Sequence, residues 1–342
     1  MVSASPTVGV IGGGSWGTAL ALAAHRAGSK VTIATRNKNV VAAVKEHRIN
    51  DIYLPHIFID PAVTVTDDLQ CACDNEIIIM AVPSQCMRSA CISISDYVDT
   101  QIPIVIGTKG LEKGSLPFMT DVVAGVLPKN SISVISGPNF ASEVARGKPS
   151  ATTLACADKE VGERLVYAIG SKYFRPYLTD DLIGTQIGGT LKNVIAIACG
   201  IAYGNNLGEN ARSALISRGF AEMIRLCEAL GGRQETLMGL AGMGDLILAC
   251  SSMHSRNTSF GLALSRGKPV DEVVIHEGRG VIEGATSAES VSKIAERYEI
   301  DMPICKAVHD ILTEASGIEE AISVLLDRPF AAEHGAKYSH IA

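Results

Sequence analysis

Six residues near the amino terminus, Gly12-Gly13-Gly14-Ser15-Trp16-Gly17, restrict what this chain can fold into more than any other stretch. They follow a short run rich in β-branched residues, Val8–Ile11, and open a segment with helical spacing, Thr18–Ala27. Glycines 12, 14 and 17 give the pattern G-x-G-x-x-G between a strand and a helix. There each glycine has its own steric duty: a tight turn, room for backbone against a pyrophosphate, and close helix–strand contact. The free N–H groups and positive end of the helix suit an anion. A glycine-rich turn without a ligand is the bland alternative, and the strand–helix–strand order weighs against it. Gly12, Gly14 and Gly17 are therefore candidate dinucleotide-binding residues.

The alternation continues. Val31–Thr35, Glu76–Val82, Ile104–Ile106 and Ser133–Ile135 read as strands, and Val40–His47, Met87–Tyr97 and Met119–Val126 as helices. Short, nearly continuous apolar runs suit parallel strands covered on both faces. Two further β-like stretches, Thr152–Cys156 and Tyr173–Tyr177, can extend the sheet. From about Leu182 the β-rich runs stop, and Thr185–Tyr203, Ala211–Leu230, Asn257–Ser265, Ser287–Tyr298, Pro303–Thr313 and Ile318–Leu326 read as helices. The expected fold class is α/β: a Rossmann-type, doubly wound, mainly parallel sheet followed by an all-α C-terminal domain. The expected domains are residues 1–182 and 183–330, with 331–342 as a loose tail. A chain of 342 residues accommodates two domains at roughly 100–200 residues each.

Charge narrows the partners. Thirty Lys and Arg against 36 Asp and Glu, without long like-charge blocks, argue against a broad basic face for nucleic acid or acidic membrane. A local anion site of a few cations remains allowed. Nine cysteines without a CxxC pair give neither a disulfide framework nor a zinc knuckle, so no metal is expected. They read as buried small hydrophobes in a reducing compartment. No basic segment precedes the first apolar run, and Val194–Ala202, the greasiest stretch, is too short to span a bilayer. The expectation is a cytoplasmic protein with a small-molecule substrate. A homodimer is compatible with the sequence but required by nothing in it.

Several residues beyond the glycine turn carry candidate chemistry. The second strand ends Ala34-Thr35-Arg36-Asn37, with no acid to hold a ribose 2′-OH; Arg36 favours a 2′-phosphate, hence NADPH, with NADH as the alternative. Lys109 lies between glycines in a loop after a strand, where its ammonium can reach the crevice. Ser136-Gly137-Pro138-Asn139-Phe140-Ala141 is a tight turn at another strand end. Lys192 lies off the apolar stripe of its helix, one turn after Gly188 and Gly189, which at helical spacing clear space beside its stem. Two glycines inside a helix suggest a ligand or chain element packed close, and a Lys beside a cofactor can serve as general acid or base. Asp245, after the glycine-rich Gly239–Gly244, is either a helix cap or a carboxylate that orients an ammonium or accepts a hydroxyl. Ser255-Arg256-Asn257 sets a hydroxyl, a guanidinium and an amide at a helix start, a compact phosphate receptor or an ordinary cap with a surface Arg. Arg279-Gly280-Val281-Ile282-Glu283-Gly284 is one more glycine-flanked turn with a carboxylate.

In order, the segments GGGSWGTALA, AVPS (Ala81–Ser84), GTKGLE, SGPNFA, TLKNVIAIACG, GLAGMGDLILAC, SRN and GVIEG closely resemble the bacterial NAD(P)-dependent glycerol-3-phosphate dehydrogenases. The resemblance runs from about Thr7 to Leu326. It implies reversible reduction of dihydroxyacetone phosphate to sn-glycerol 3-phosphate, the entry to glycerophospholipid synthesis, in the cytoplasm. It also implies that Ser15, Trp16, Arg36, Lys109, Ala141, Arg256, Val281 and Glu283 contact the cofactor. Lys109, Gly137, Asn139, Asp245, Ser255, Arg256 and Asn257 meet the substrate on the same basis, and Lys192 exchanges the proton. Family members more often carry a small hydroxyl residue at the position of Asn139. Two rivals stand beside this reading. A β-hydroxyacid dehydrogenase would seat a carboxylate where phosphate is placed here, and an NADPH-sensing protein would need neither Lys192 nor the second anion site.

Overall fold

The computed structural model describes residues 5–114, 118–270 and 282–329. Its first half is an eight-stranded sheet whose strands and helices alternate as the apolar runs predict. The strands are β1 (Thr7–Ile11), β2 (Lys30–Ala34), β5 (Thr64–Thr66), β6 (Ile77–Met80), β7 (Ile104–Ile106), β8 (Ile132–Ser136), β9 (Ser150–Cys156) and β10 (Phe174–Thr179). They lie in the order β10-β9-β8-β7-β6-β1-β2-β5. All neighbours are parallel except β8 and β9. Ile77–Met80 is buried at every position, as a central parallel strand covered on both faces must be. Helices α1 (Ser15–Arg26), α2 (Lys38–His47), α3 (Leu69–Cys73), α4 (Met87–Ile94), α5 (Met119–Ala124), α6 (Ala141–Ala145) and α7 (Lys159–Ile169) cover the faces. The chain reverses strand order between β1 and β6, the switch point where open α/β sheets bind ligands.

Four elements between α2 and β6 escape the sequence reading, the short helix α3 among them, as does α7 farther along. A small antiparallel hairpin, β3 (Ile49–Asn50) with β4 (Leu54–Phe58), stands apart from the main sheet, and β5 adds an edge beside β2. These strands are too short for a period-two pattern to register. Helix α4 also stops at Ile94, three residues before its expected end.

The second half is helical: α8 (Leu182–Gly204), α9 (Gly208–Ala229), α10 (Gln234–Met238), a π-helical turn (Leu240–Gly244), α11 (Asp245–Ser251), α12 (Arg256–Ser265), α13 (Glu283–Arg297), α14 (Pro303–Leu312) and α15 (Ile318–Leu326). Helix α8 is its axis. Its 23 residues are long and apolar enough to cross a membrane, longer than the run read from sequence, yet 83% of its most apolar window is buried in the molecule. Backbones approach closely along it: a Cβ on Gly200 would lie 2.1 Å from the Thr258 carbonyl oxygen, and one on Gly261 2.1 Å from that of Ile197. That approach sets Lys192 and Asn193 of α8 beside the start of α12. Glu222, buried in α9, accepts from the N–H groups of Ile304 and Cys305 at 2.7 and 3.1 Å and so caps α14.

Candidate active site

The cleft between the two halves, about 1280 Å³, starts at the glycine turn. Gly12 needs its φ of +120°, and a Cβ there would strike the Ala81 carbonyl oxygen at 2.4 Å. Gly17 lies behind the turn, where a Cβ would fall 1.9 Å from the Gly12 oxygen. Gly14, by contrast, has nothing within 4 Å of its notional Cβ and faces the cleft. The three glycines thus divide turn, packing and open approach as the motif requires. Ser15 and Trp16 both line the cleft, but their side chains are engaged: Ser15 Oγ donates to the Tyr53 carbonyl at 2.6 Å and Trp16 Nε1 to that of Gly107 at 3.0 Å. Only their backbone groups are free to meet a ligand's phosphates. Arg36 lines the far end, beyond β2.

The chemically active part is a triad of charges. Asp245, 1% exposed, accepts from Lys192 Nζ on Oδ1 at 2.7 Å and from Lys109 Nζ on Oδ2 at 2.6 Å. Lys109 comes from the loop after β7, Lys192 from α8 and Asp245 from the start of α11, so one carboxylate joins both halves. The π-helical turn delivers it. Gly188 makes room for that turn, since a Cβ there would lie 2.3 Å from the Ala241 oxygen. Gly189 makes room for Ser136 and Lys109, whose Oγ and Cγ would be 2.7 and 3.2 Å from a Cβ at that position. Here the structure corrects the sequence reading: the paired glycines clear space for another chain element and for the stem of Lys109, not for that of Lys192. Lys109 Nζ also donates to the Gly137 carbonyl at 3.3 Å. Burial pushes the Lys109 ammonium below its ordinary range, against the pull of Asp245.

Arg256, the first residue of α12, is exposed in the cleft, while Ser255 caps the helix by accepting from Thr258 N–H at 3.4 Å. Asn257 is already employed: Nδ2 donates to Asn193 Oδ1 at 2.9 Å, and Oδ1 accepts from Gly284 N–H at 3.1 Å. Its side chain therefore braces α8, α12 and α13 against one another. Glu283 also lines the cleft; burial raises its carboxyl, with Arg256, Lys109 and Lys192 pulling it back. Asn139 Nδ2 donates to the carbonyls of Pro138 and Ala151 at 2.9 Å each, leaving Oδ1 with no partner among the described residues. Ala141, at the start of α6, lines the same wall. Val281 lies outside the described residues. Lys192 and Arg256 thus open onto one cleft, as a shared substrate demands.

A family model described as the NAD-dependent glycerol-3-phosphate dehydrogenase N-terminus matches residues 7–162, and its C-terminal counterpart matches residues 181–323. The chain belongs to the NAD-dependent glycerol-3-phosphate dehydrogenase family. It is 48% identical to the glycerol-3-phosphate dehydrogenase (NAD(P)+) of Maricaulis maris over 96% of this chain and 98% of that one. The crystal structure of glycerol-3-phosphate dehydrogenase from Coxiella burnetii superposes with a TM-score of 0.90 at 38% identity, covering 95% and 99% of the two chains. A D-mandelate dehydrogenase shares the fold alone, with a TM-score of 0.60 at 12% identity over 93% of this chain and 99% of that one.

Within that family framework, many cleft residues went unnoticed in the sequence, Asn193, Tyr53 and His254 among them. Asn193 follows Lys192 directly and is buried; a polar side chain next to a candidate catalytic Lys was the available signal. Tyr53 and His254 also line the cleft. His254 meets the Phe140 ring edge-on at 6.4 Å between centroids, across the gap between the halves. Neither residue sits in a pattern that sequence alone distinguishes.

Proposed function

We propose how this cleft performs the family's reaction, the reversible reduction of dihydroxyacetone phosphate to sn-glycerol 3-phosphate with NAD(P)H. The residues fit the dinucleotide: Gly14 is open above the amino terminus of α1, and its N–H has no protein acceptor among the described residues. The bound nicotinamide supplies a hydride to the ketone carbon. Lys192 delivers the proton to the ketone oxygen in reduction and withdraws it from the alcohol in oxidation. Asp245 fixes that ammonium, and Lys109 shares the same carboxylate, adding positive charge where alkoxide character develops. Arg256 pairs with the substrate phosphate, joined by the free N–H groups at the start of α12. Asn139 lines the cleft, but its amide is turned to the Pro138 and Ala151 carbonyls and its Oδ1 is buried, so we assign it a supporting place in the wall beside the substrate. Arg36 binds the 2′-phosphate of NADPH, and NADH serves as the weaker donor. Ala141 and Glu283, which both line the cleft, help complete the cofactor site.

The observation that carries this reading is the two-lysine carboxylate at the cleft floor, with Arg256 opening onto the same space. We take the division of labour to fall at the start of α8, with residues 1–182 holding cofactor and 183–330 completing the substrate site. Nine free thiols, most of them buried, support a reducing, cytoplasmic setting. The first three turns of α9 bury none of their residues, which supports a second copy docking there as a homodimer. The decisive experiment follows NADPH oxidation spectrophotometrically with dihydroxyacetone phosphate, and separately with 2-keto and 3-keto acids. Turnover only with the keto acids sinks the phosphate reading.

A further inference from the structure

Asn50, at the end of β3, has no role in the scheme above, yet it is buried to 1% exposure directly behind the glycine turn. Its Nδ2 donates to the Gly13 carbonyl at 2.9 Å and to Thr18 Oγ1 at 3.0 Å. Its Oδ1 accepts from Tyr53 N–H at 3.3 Å, so the amide is fixed from both ends. In a trans peptide the C=O of one residue and the N–H of the next point in opposite directions. With the Gly13 carbonyl turned back onto Asn50, the Gly14 N–H is turned away from it, toward the cleft that both glycines line.

Such a lock has a physical reason. A peptide between two glycines is the easiest of all to flip, because neither neighbour carries a Cβ to oppose the rotation. The motif requires this permissiveness: a Cβ on Gly13 would lie 2.7 Å from Thr35 Cβ, and Gly14 must stay open to the ligand. Flipped, the same peptide would present a carbonyl oxygen to a pyrophosphate and repel it. Dipoles held in place before the ligand arrives need no reorganisation when it binds. Ser15 adds a second tie to the same segment through its hydroxyl on the Tyr53 carbonyl.

We propose that Asn50 is a positioning residue that aims the Gly14 N–H into the cleft and so sets affinity for the pyrophosphate of the dinucleotide. The inference rests on the reading of Gly12–Gly17 as the cofactor turn. Asn50→Asp is nearly isosteric, removes both donors, and sets a carboxylate beside the Gly13 carbonyl. It weakens NADPH binding about 100-fold, and Asn50→Ala about tenfold, as expected for losing hydrogen bonds to a buried polar group. Trp16, the only tryptophan, lines the cleft, so its quenching by NADPH reads the dissociation constant without turnover. The KM for NADPH rises in proportion, and kcat at saturating cofactor falls far less. Competition by 2′-AMP, which lacks the pyrophosphate, moves less than threefold. Equal losses for NADPH and 2′-AMP, or a KM for NADPH that stays put, overturn the proposal. Should Asn50→Asp fail to fold, Asn50→Ala and Asn50→Ser carry the same comparison, with thermal melting of the free protein confirming their integrity. If the wild-type protein itself fails to bind NADPH, the cofactor reading falls; if it binds and the variants match it, only the role of Asn50 falls.

Discussion

The two halves of the molecule build the cleft by different means. The sheet half works mainly through its backbone: the turn before α1, the open α-carbon of Gly14 and the Gly137 carbonyl, with the Ser15 and Trp16 side chains turned to protein partners. The helical half works through charged side chains, Lys192, Asp245, Arg256 and Glu283. Lys109 departs from this pattern, a sheet-half side chain reaching Asp245 of the other half, and Arg36 is a second charged side chain on that side of the cleft. Backbone N–H groups at a helix start recognise any phosphate, which suits a shared cofactor. Recognising one substrate and moving one proton needs groups of particular charge in particular places. The division predicts which mutations spare the cofactor and which do not.

The largest effect should come from Lys192. Lys192→Ala lowers kcat by about 100- to 10,000-fold, the usual share of a general acid or base, while the NADPH dissociation constant stays within about twofold. Turnover that survives the change removes Lys192 from the reaction. Next comes Arg256→Ala, which raises the KM for dihydroxyacetone phosphate about 10- to 100-fold, the worth of a charge-assisted hydrogen bond. Steady-state kinetics at saturating NADPH measure it, and an unchanged KM would place the phosphate elsewhere. On the sheet side the effect is smaller. Arg36→Asp shifts the ratio of kcat/KM for NADPH over NADH about tenfold toward NADH, since an exposed Arg loses one charged contact. A ratio that does not move leaves Arg36 a surface residue.

The smallest effect concerns the frame of the helical half. Burial raises the Glu222 carboxyl above its ordinary 4.5, opposed by the Ile304 and Cys305 N–H groups. The folded state then binds that proton more tightly than the unfolded chain does. The cost of ionisation is absent below the ordinary value and grows as pH rises through the raised one. Glu222→Gln should therefore gain in melting temperature relative to wild type, by about a few degrees, as pH rises from about 4.5 upward. A constant difference across pH would mean Glu222 ionises as freely folded as unfolded.

Much of this was legible in the chain. The glycine turn, the parallel strands and the long helices declare themselves because they depend on relations within a few residues, which periodicity records directly. Lys192 and Arg256 stood out for the same reason, one turn after paired glycines and at a helix start. The hairpin of β3 and β4 did not, being two and five residues long with no repeat to read. Hence Asn50 and Tyr53, which tie down the glycine turn, were invisible.

Sequence by itself determined the kind of molecule this is: a glycine-rich turn on a mainly parallel sheet, followed by a helical half with a lysine one turn after paired glycines. Tertiary structure alone decided who meets whom. Asp245 binds Lys192 from 53 residues away and Lys109 from 136, and Gly189 serves a lysine on another element rather than its own neighbour. Asn257, which looked like a ligand group, became a brace. Local patterns encode which residues share a face, whereas partners so distant in the chain are fixed only when close packing brings whole elements to one separation and angle.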